Sequence, residues 1–185
     1  MKRSDAIKEI ALCEGLIVSN LGFPSRELFA AADRPENFYM LGSMGLVSSI
    51  GLGLALCQHK RVYVIDGDGS LLMNLGALVT IAHHAPDNLC LVIMDNKVYG
   101  STGNQPTYTA QKTDLAAVAK AAGNKNVVKV KTISSLRKTL VKFSQTNAVI
   151  IAAVESGNKN VPIIPFAPGE IKKRFVQALC SHRET

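Results

Sequence analysis

Apolar and polar positions along this chain switch repeatedly between a helical period and short continuous apolar runs. Ala6, Ile7, Ile10 and Ala11 fall at helical spacing within about residues 4–14, and Leu16-Ile17-Val18-Ser19 is a strand-like run closed by Asn20-Leu21-Gly22. Pro24 sits in the first turn of a second helix, where its missing N–H costs nothing. Phe38 to Leu41 reads as a strand and about 44–58 as a Gly-rich helix. Arg61 to Ile65 and Leu89 to Met94 read as strands buried on both faces, with a helix over about 70–84 between them. Residues 96–113 form a long polar loop without predicted structure. Beyond it the pattern predicts a helix at about 114–122, a strand at 126–130, a helix at 133–145 and a strand at 147–154. A Pro-rich stretch at 162–168 and a helix at about 169–180 follow.

Strand–helix alternation at this spacing predicts an α/β fold: a doubly wound parallel sheet with helices on both faces. With no internal repeat and no linker, residues 1–185 are expected to form a single domain. Such sheets bind ligands outside the carboxyl ends of their strands, so the loops after Val18, Ile65 and Met94 are where chemistry is expected. A polar loop as long as 96–113 inside a compact domain points the same way.

Composition narrows the function classes. The 185 residues are 47% hydrophobic, which excludes disorder, and carry a net charge of +7. That charge is uneven: 8 Lys/Arg against 10 Asp/Glu in residues 1–111, and 13 against 4 in 112–185. The basic residues stand singly among apolar ones and aromatics are few, so nucleic acid is not an expected partner. The uncharged run from Met40 to Cys57 contains Gly42, Gly45, Gly51, Gly53 and three serines, and reads as a buried helix rather than a membrane span. The start of the chain has no apolar signal region. Cys13, Cys57, Cys90 and Cys180 lie too far apart for a zinc motif, and free thiols indicate a reducing, cytoplasmic setting.

The sharpest chemical feature is Asp66-Gly67-Asp68-Gly69-Ser70, ending one strand and opening a helix. Its glycines let the backbone turn tightly, and amides at a helix start favour an anion such as phosphate. The Asp68 carboxylate would repel that anion unless a hard cation lay between them, which suggests Mg²⁺ and a diphosphate. From Asp68 the expected helix travels ~22 Å away, and the strand before Asn96 returns ~23 Å. The two nearly cancel, placing the Asn96 amide oxygen beside Asp68 as a second oxygen donor.

Gly67-Asp68-Gly69 followed by the Asp95-Asn96 turn resembles the diphosphate-binding signature of thiamine diphosphate enzymes, in which the turn often reads Asn-Asn. The resemblance implies that Asp68, Asn96 and the carbonyl of Val98 hold Mg²⁺. Gly42-Ser43-Met44-Gly45 resembles the family's G-x-M-G segment. This implies that the Gly42 carbonyl meets the cofactor's aminopyrimidine while Met44 wedges the cofactor into its bent shape. Ser70, Tyr99 and Gly100 belong to the same segments, and Asn20 and Gly22, ending a strand at the same edge, are candidates to line the diphosphate or substrate.

Three longer segments are similar to the beta subunits of sulfopyruvate decarboxylases: Phe38 to Gly45, Leu71 to Leu78 and Tyr99 to Thr107. Phosphonopyruvate decarboxylases are similar too. The resemblance implies non-oxidative decarboxylation of an anionic 2-oxoacid. For the first group that means 3-sulfopyruvate to sulfoacetaldehyde and CO₂, a step of coenzyme M biosynthesis. The family also needs a carboxylate on the aminopyrimidine from a separate pyrimidine-binding domain. One domain of chain leaves no room for it, so a partner alpha subunit is implied, and no catalytic residue is assigned to this chain.

Other readings are weaker. Asp66-Gly67-Asp68-Gly69-Ser70 also resembles the nucleophile motif of haloacid-dehalogenase-type phosphatases, but the late acids Asp114, Glu155, Glu170 and Glu184 are unpaired in sequence. A dinucleotide motif fails on its third glycine, where Leu56 or Leu72 stands. The beta subunits of 2-oxoacid:ferredoxin oxidoreductases share a similar Tyr-x-x-Thr-Gly-x-Gln run but would need a cysteine cluster. His83-His84 read as structural, and Arg26 and Arg34 as surface or ion-paired cations rather than anion receptors. A cofactor-binding subunit that does no chemistry by itself is the non-enzyme alternative.

Overall fold

The computed structural model describes residues 1–180. Eight strands run in chain order: β1 (Leu16–Ser19), β2 (Asn37–Tyr39), β3 (Val62–Gly67), β4 (Leu89–Asp95), β5 (Val98–Tyr99), β6 (Gln105–Pro106), β7 (Val127–Val130) and β8 (Ala148–Ala153). The helices are α1 (Arg3–Ala11), α2 (Phe23–Ala31), α3 (Val47–Cys57), α4 (Asp68–Leu72), α5 (Gly76–His84), α6 (Leu115–Ala121), α7 (Ile133–Lys142) and α8 (Pro168–Cys180). Six strands make one sheet in the order β2-β1-β3-β4-β8-β7, every pair parallel. The order reverses between β1 and β3, leaving a crevice at their carboxyl ends where ligands of such sheets bind.

Alternate residues of the central strands enter two cores. Ile17, Ile65, Val92 and Ile150 point to the side packed by α1, α2 and α7. Val18, Val64, Leu91 and Val149 point to the side packed by α3, α5 and α6. Each such fully buried aliphatic side chain contributes about 1.5–3 kcal/mol. Hence the continuous apolar runs in β3 and β4: both faces are covered. Helix α8 flanks the β2 edge, with Phe175 against Phe38 at 5.3 Å between ring centroids. The glycines of α3 have a packing cause at Gly51, where a Cβ would overlap Val64 Cγ2, so the helix lies almost directly on β3. No helix among the described residues is long and apolar enough to cross a membrane.

Three expectations change. The helix expected at about 70–84 is two helices, because Asn74 turns its amide to the Gly45 carbonyl (3.0 Å) and Gly76 weakens the helix beside it. The Gly-rich helix begins at Val47, so Met44 lies on the exposed loop that precedes it. The polar loop 96–113 contains the antiparallel hairpin β5–β6 and a 3₁₀ turn at Tyr108–Ala110.

Candidate functional site

Register builds the site. Gly67 pairs with Met94 across β3 and β4, so Asp68 just after β3 emerges beside Asp95, the last residue of β4, and Asn96 after it. The out-and-back length argument thus holds even though the connecting helix is broken. A cavity of about 160 Å³ opens there. Asn20, Gly67, Asp68, Gly69 and Ser70 form one part of its wall, and Asn96, Val98, Tyr99 and Gly100 another. Arg3, Met44, Ser101 and Thr102 also line it. Of the expected site residues, Gly22, Gly42 and Ser43 do not line it. Gly22 caps α2 at φ +78°, while Gly42 and Ser43 lie on the exposed run just before Met44.

Asp68 is more constrained than a turn residue projecting into solvent. It is the first residue of α4 and buried, and its Oδ2 accepts hydrogen bonds from Thr107 Oγ1 (2.6 Å) and Thr109 Oγ1 (3.0 Å). Thr109 Oγ1 also lies 2.8 Å from Asp95 Oδ1, so its single hydroxyl proton serves one carboxylate or the other. Burial is the main influence on Asp68 and lifts its carboxyl above the ordinary carboxylate range; the Thr107 hydroxyl pulls it back, the nearby Asp95 charge lifts it further, and Thr109 also pulls it down. Because α4 has only five residues, the helix dipole expected behind Ser70 is small.

The hairpin explains how those threonines arrive. The Val98 amide donates to Asn96 Oδ1 (3.2 Å), and Lys97 takes φ +65°, turning the chain tightly. Pairing of Val98 with Pro106, and of the Thr107 amide with the Lys97 carbonyl (2.9 Å), then carries Thr107 and Thr109 back to Asp68. Tyr99 lies against Gly69 so closely that a Cβ there would overlap its ring.

A second network fixes the loop that carries Met44. Asp66 is fully buried; its Oδ2 accepts from Ser48 Oγ at 2.7 Å and its Oδ1 from the Gly67 amide at 2.8 Å. Burial raises the Asp66 carboxyl, and hydrogen bonds from Ser70, Ser48 and Gly67 oppose the rise. Ser70 Oγ in turn accepts the Gly45 amide at 3.0 Å. Gly45 in the loop before α3 is thereby bolted to Ser70 in α4 and Asn74 just after it, while Ser48 in the first turn of α3 ties that helix to β3.

The donor set suits a hard cation. No group of three His, Cys, Asp or Glu side chains that could hold a metal exists among the described residues, which leaves zinc-type sites without ligands. Asp68, Asn96 and Val98 line the same cavity, and a carboxylate, an amide oxygen and a main-chain carbonyl are oxygen donors of the kind Mg²⁺ takes. Among the described residues no side-chain donor occupies Asp68 Oδ1, and the Asn96 oxygen retains a lone pair.

Residues 25–153 match the family model for the thiamine pyrophosphate enzyme C-terminal TPP binding domain. The chain is 48% identical to the sulfopyruvate decarboxylase subunit beta of Methanothermobacter thermautotrophicus, over 96% of this chain and 95% of the relative. The chain belongs to the thiamine pyrophosphate enzyme family, with the sulfopyruvate decarboxylase beta subunits. It is also 39% identical to a phosphonopyruvate decarboxylase of Streptomyces viridochromogenes, over 88% of this chain but 41% of that protein. A structure of a putative thiamin diphosphate-dependent enzyme from Mycobacterium smegmatis shares the fold, with a TM-score of 0.70 at 18% identity, over 86% of this chain and 32% of that one.

Three residues at the site carry no signal in the sequence: Arg3, which lines the cavity, and Thr107 and Thr109, which hold Asp68. Thr107 ends the segment Tyr99 to Thr107, yet nothing in its spacing ties it to Asp68. The other candidates fall away from the cavity. Arg34 donates to the carbonyls of Cys13 and Gly15 (3.0 Å each), and Arg26 lies over the Phe23 ring at 5.4 Å. His83 and His84 end α5, before the amino end of β4, with their rings 5.1 Å apart. Asp114 caps α6 and pairs with Lys129, and Glu155 pairs with the chain's amino terminus. Glu184 lies outside the described residues.

Proposed function

We propose that this chain is the diphosphate-binding subunit of a thiamine diphosphate- and Mg²⁺-dependent decarboxylase acting on 3-sulfopyruvate in the cytoplasm. Residues 1–185 would serve as one such domain. The observation that carries the reading is the meeting of Asp68, Asn96 and Met44 on one cavity at the carboxyl edge of the sheet. Near-full-length identity to a sulfopyruvate decarboxylase subunit beta supports the choice of substrate.

When bound, the cofactor supplies the nucleophilic carbon and the electron sink for loss of CO₂. Asp68, Asn96 and the Val98 carbonyl would hold Mg²⁺, with Thr107 and Thr109 fixing the Asp68 carboxylate so that it binds without reorganising. A metal held by these residues would serve to anchor the diphosphate, with no part in the chemistry at the substrate. Gly67, Gly69, Ser70, Tyr99 and Gly100 would border the diphosphate end, with Asn20 and Gly22 beside them. Gly42, Ser43 and Met44 would meet the aminopyrimidine, Met44 setting the cofactor's shape. The exposure of residues 41–44 fits a cofactor shared with a second chain. The carboxylate for the aminopyrimidine would come from an alpha subunit carrying the pyrimidine-binding domain. The extra length of the phosphonopyruvate decarboxylase relative, of which this chain spans 41%, fits that division.

The test is to co-purify the chain with its native partner and measure CO₂ release from sulfopyruvate, phosphonopyruvate and pyruvate side by side. Fastest turnover of sulfopyruvate supports the reading. Preference for phosphonopyruvate would move it to the second relative's activity, and no release from any of the three would end it.

A further inference from the structure

Arg3 stands apart from every motif described above, yet it lines the same cavity as Asp68 and Asn96. It is the only cationic side chain among the described residues that line it. Arg3 is 7% exposed, and its fork is held from two sides. Nε and Nη2 donate to the two oxygens of Glu27 at 3.0 and 2.8 Å, and Nη2 also donates to Asn158 Oδ1 at 3.0 Å. Asn158 then donates to the Gly100 carbonyl at 2.8 Å, tying the arrangement to the loop that borders the cavity. Of the five guanidinium donors, those on Nη1 meet no acceptor among the described residues, and Nη1 is not sealed from solvent.

Burying an ion pair in a wall is poorly repaid in stability, since apolar replacements of similar volume often do as well. Glu27 Oε1 also accepts the Lys159 amide at 3.3 Å and the guanidinium lies 5.9 Å from the Phe23 ring centroid, but neither contact uses the Nη1 donors. A guanidinium whose plane is already fixed and whose last two donors are unused is preorganised for an oxyanion. We infer that Arg3 donates through Nη1 to an oxyanion of the ligand held in the Asp68 cavity, either the cofactor's diphosphate or the substrate's sulfonate. This rests on the decarboxylase reading above. Glu27 and Asn158 are positioning residues for the fork.

The assembled two-subunit enzyme tests it. Arg3→Gln alone strands the buried Glu27 carboxylate, so the main variant is Arg3→Gln with Glu27→Gln, which keeps the wall neutral. Arg3→Lys keeps the charge, loses the fork and serves if the double variant does not assemble. Thermal melting checks the fold, calorimetry measures thiamine diphosphate binding with Mg²⁺, and steady-state assays give KM for sulfopyruvate. Loss of a charge-assisted hydrogen bond should weaken one affinity about 10–100-fold. Weaker cofactor binding with unchanged KM assigns Arg3 to the diphosphate. Raised KM with unchanged cofactor binding assigns it to the sulfonate. A folded variant in which neither affinity moves overturns the inference. A wild-type complex that binds no cofactor and releases no CO₂ would instead sink the decarboxylase reading, and the Arg3 assignment with it.

Discussion

Asp68 shows how much of this site depends on a single atom's surroundings. Its carboxylate is buried and held by two threonines that arrive from about forty positions along the chain (|i−j| of 39 and 41). Because burial raises its pKa in the fold, the folded chain holds that proton more tightly than the unfolded chain does. The resulting stabilisation is full below the unfolded value near 3.8 and is lost as pH rises through the folded value. Asp68→Asn removes this titration. The metal-free variant should resist urea better than wild type at neutral pH, and the gap should close as pH falls to about 3.8. A constant gap across that range would mean that the carboxylate is not desolvated. In the assembled enzyme the same variant should lose Mg²⁺-dependent cofactor binding, and calorimetry showing unchanged affinity would remove Asp68 from the metal site. Met44 predicts a different pattern, since its place is on the loop and not at the metal. Met44→Ala should lower turnover more than cofactor affinity, and the reverse split would contradict the wedge role.

At the scale of elements, the site depends on how closely α3 rides on β3. Gly51 permits that approach, Ser48–Asp66 fastens the helix to the strand, and Gly45–Ser70 and Gly45–Asn74 then hold the preceding loop against α4. Gly51→Ala forces its new methyl into Val64. Overpacking of this kind costs about 1–3 kcal/mol. Urea unfolding should show that loss, whereas Gly53→Ala, with no atom within 4 Å of its Cβ, should show none. Equal effects at the two glycines would mean that helix propensity, rather than contact with β3, decides.

For the whole molecule, large apolar side chains stand exposed near the loop that carries Met44. Leu41 and Leu46 on the loop before α3, and Met73 just after α4, are 55%, 46% and 63% exposed. These side chains flank the segments assigned to the shared cofactor, as a surface for a partner subunit would. The chain alone, supplied with Mg²⁺ and thiamine diphosphate, should therefore release negligible CO₂ from sulfopyruvate. The carboxylate for the aminopyrimidine is proposed to come from the alpha subunit, and a missing acid–base group typically costs about 10²–10⁴-fold in rate. Partner-level turnover by the lone chain, after checking for a co-purified host subunit, would overturn the two-chain arrangement.

Much of the fold was legible in the sequence because its signals are local. The apolar runs of β3, β4 and β8 record burial on both faces, and the alternation with helices leaves parallel pairing as the economical arrangement. The juxtaposition of Asp68 and Asn96 was legible too, since the outward helical stretch, though broken into two, and the returning strand are of similar length. The break at Asn74 and Gly76 was missed because the Asn74 partner, Gly45, is 29 residues away. The hairpin inside 96–113 was missed because two-residue strands are too short to show a period. Thr107, Thr109 and Arg3 carry no pattern at all. A hydroxyl or guanidinium becomes part of a site only when the tertiary fold brings it to a carboxylate or a cavity from a distant stretch of chain, and spacing along the sequence does not encode that meeting.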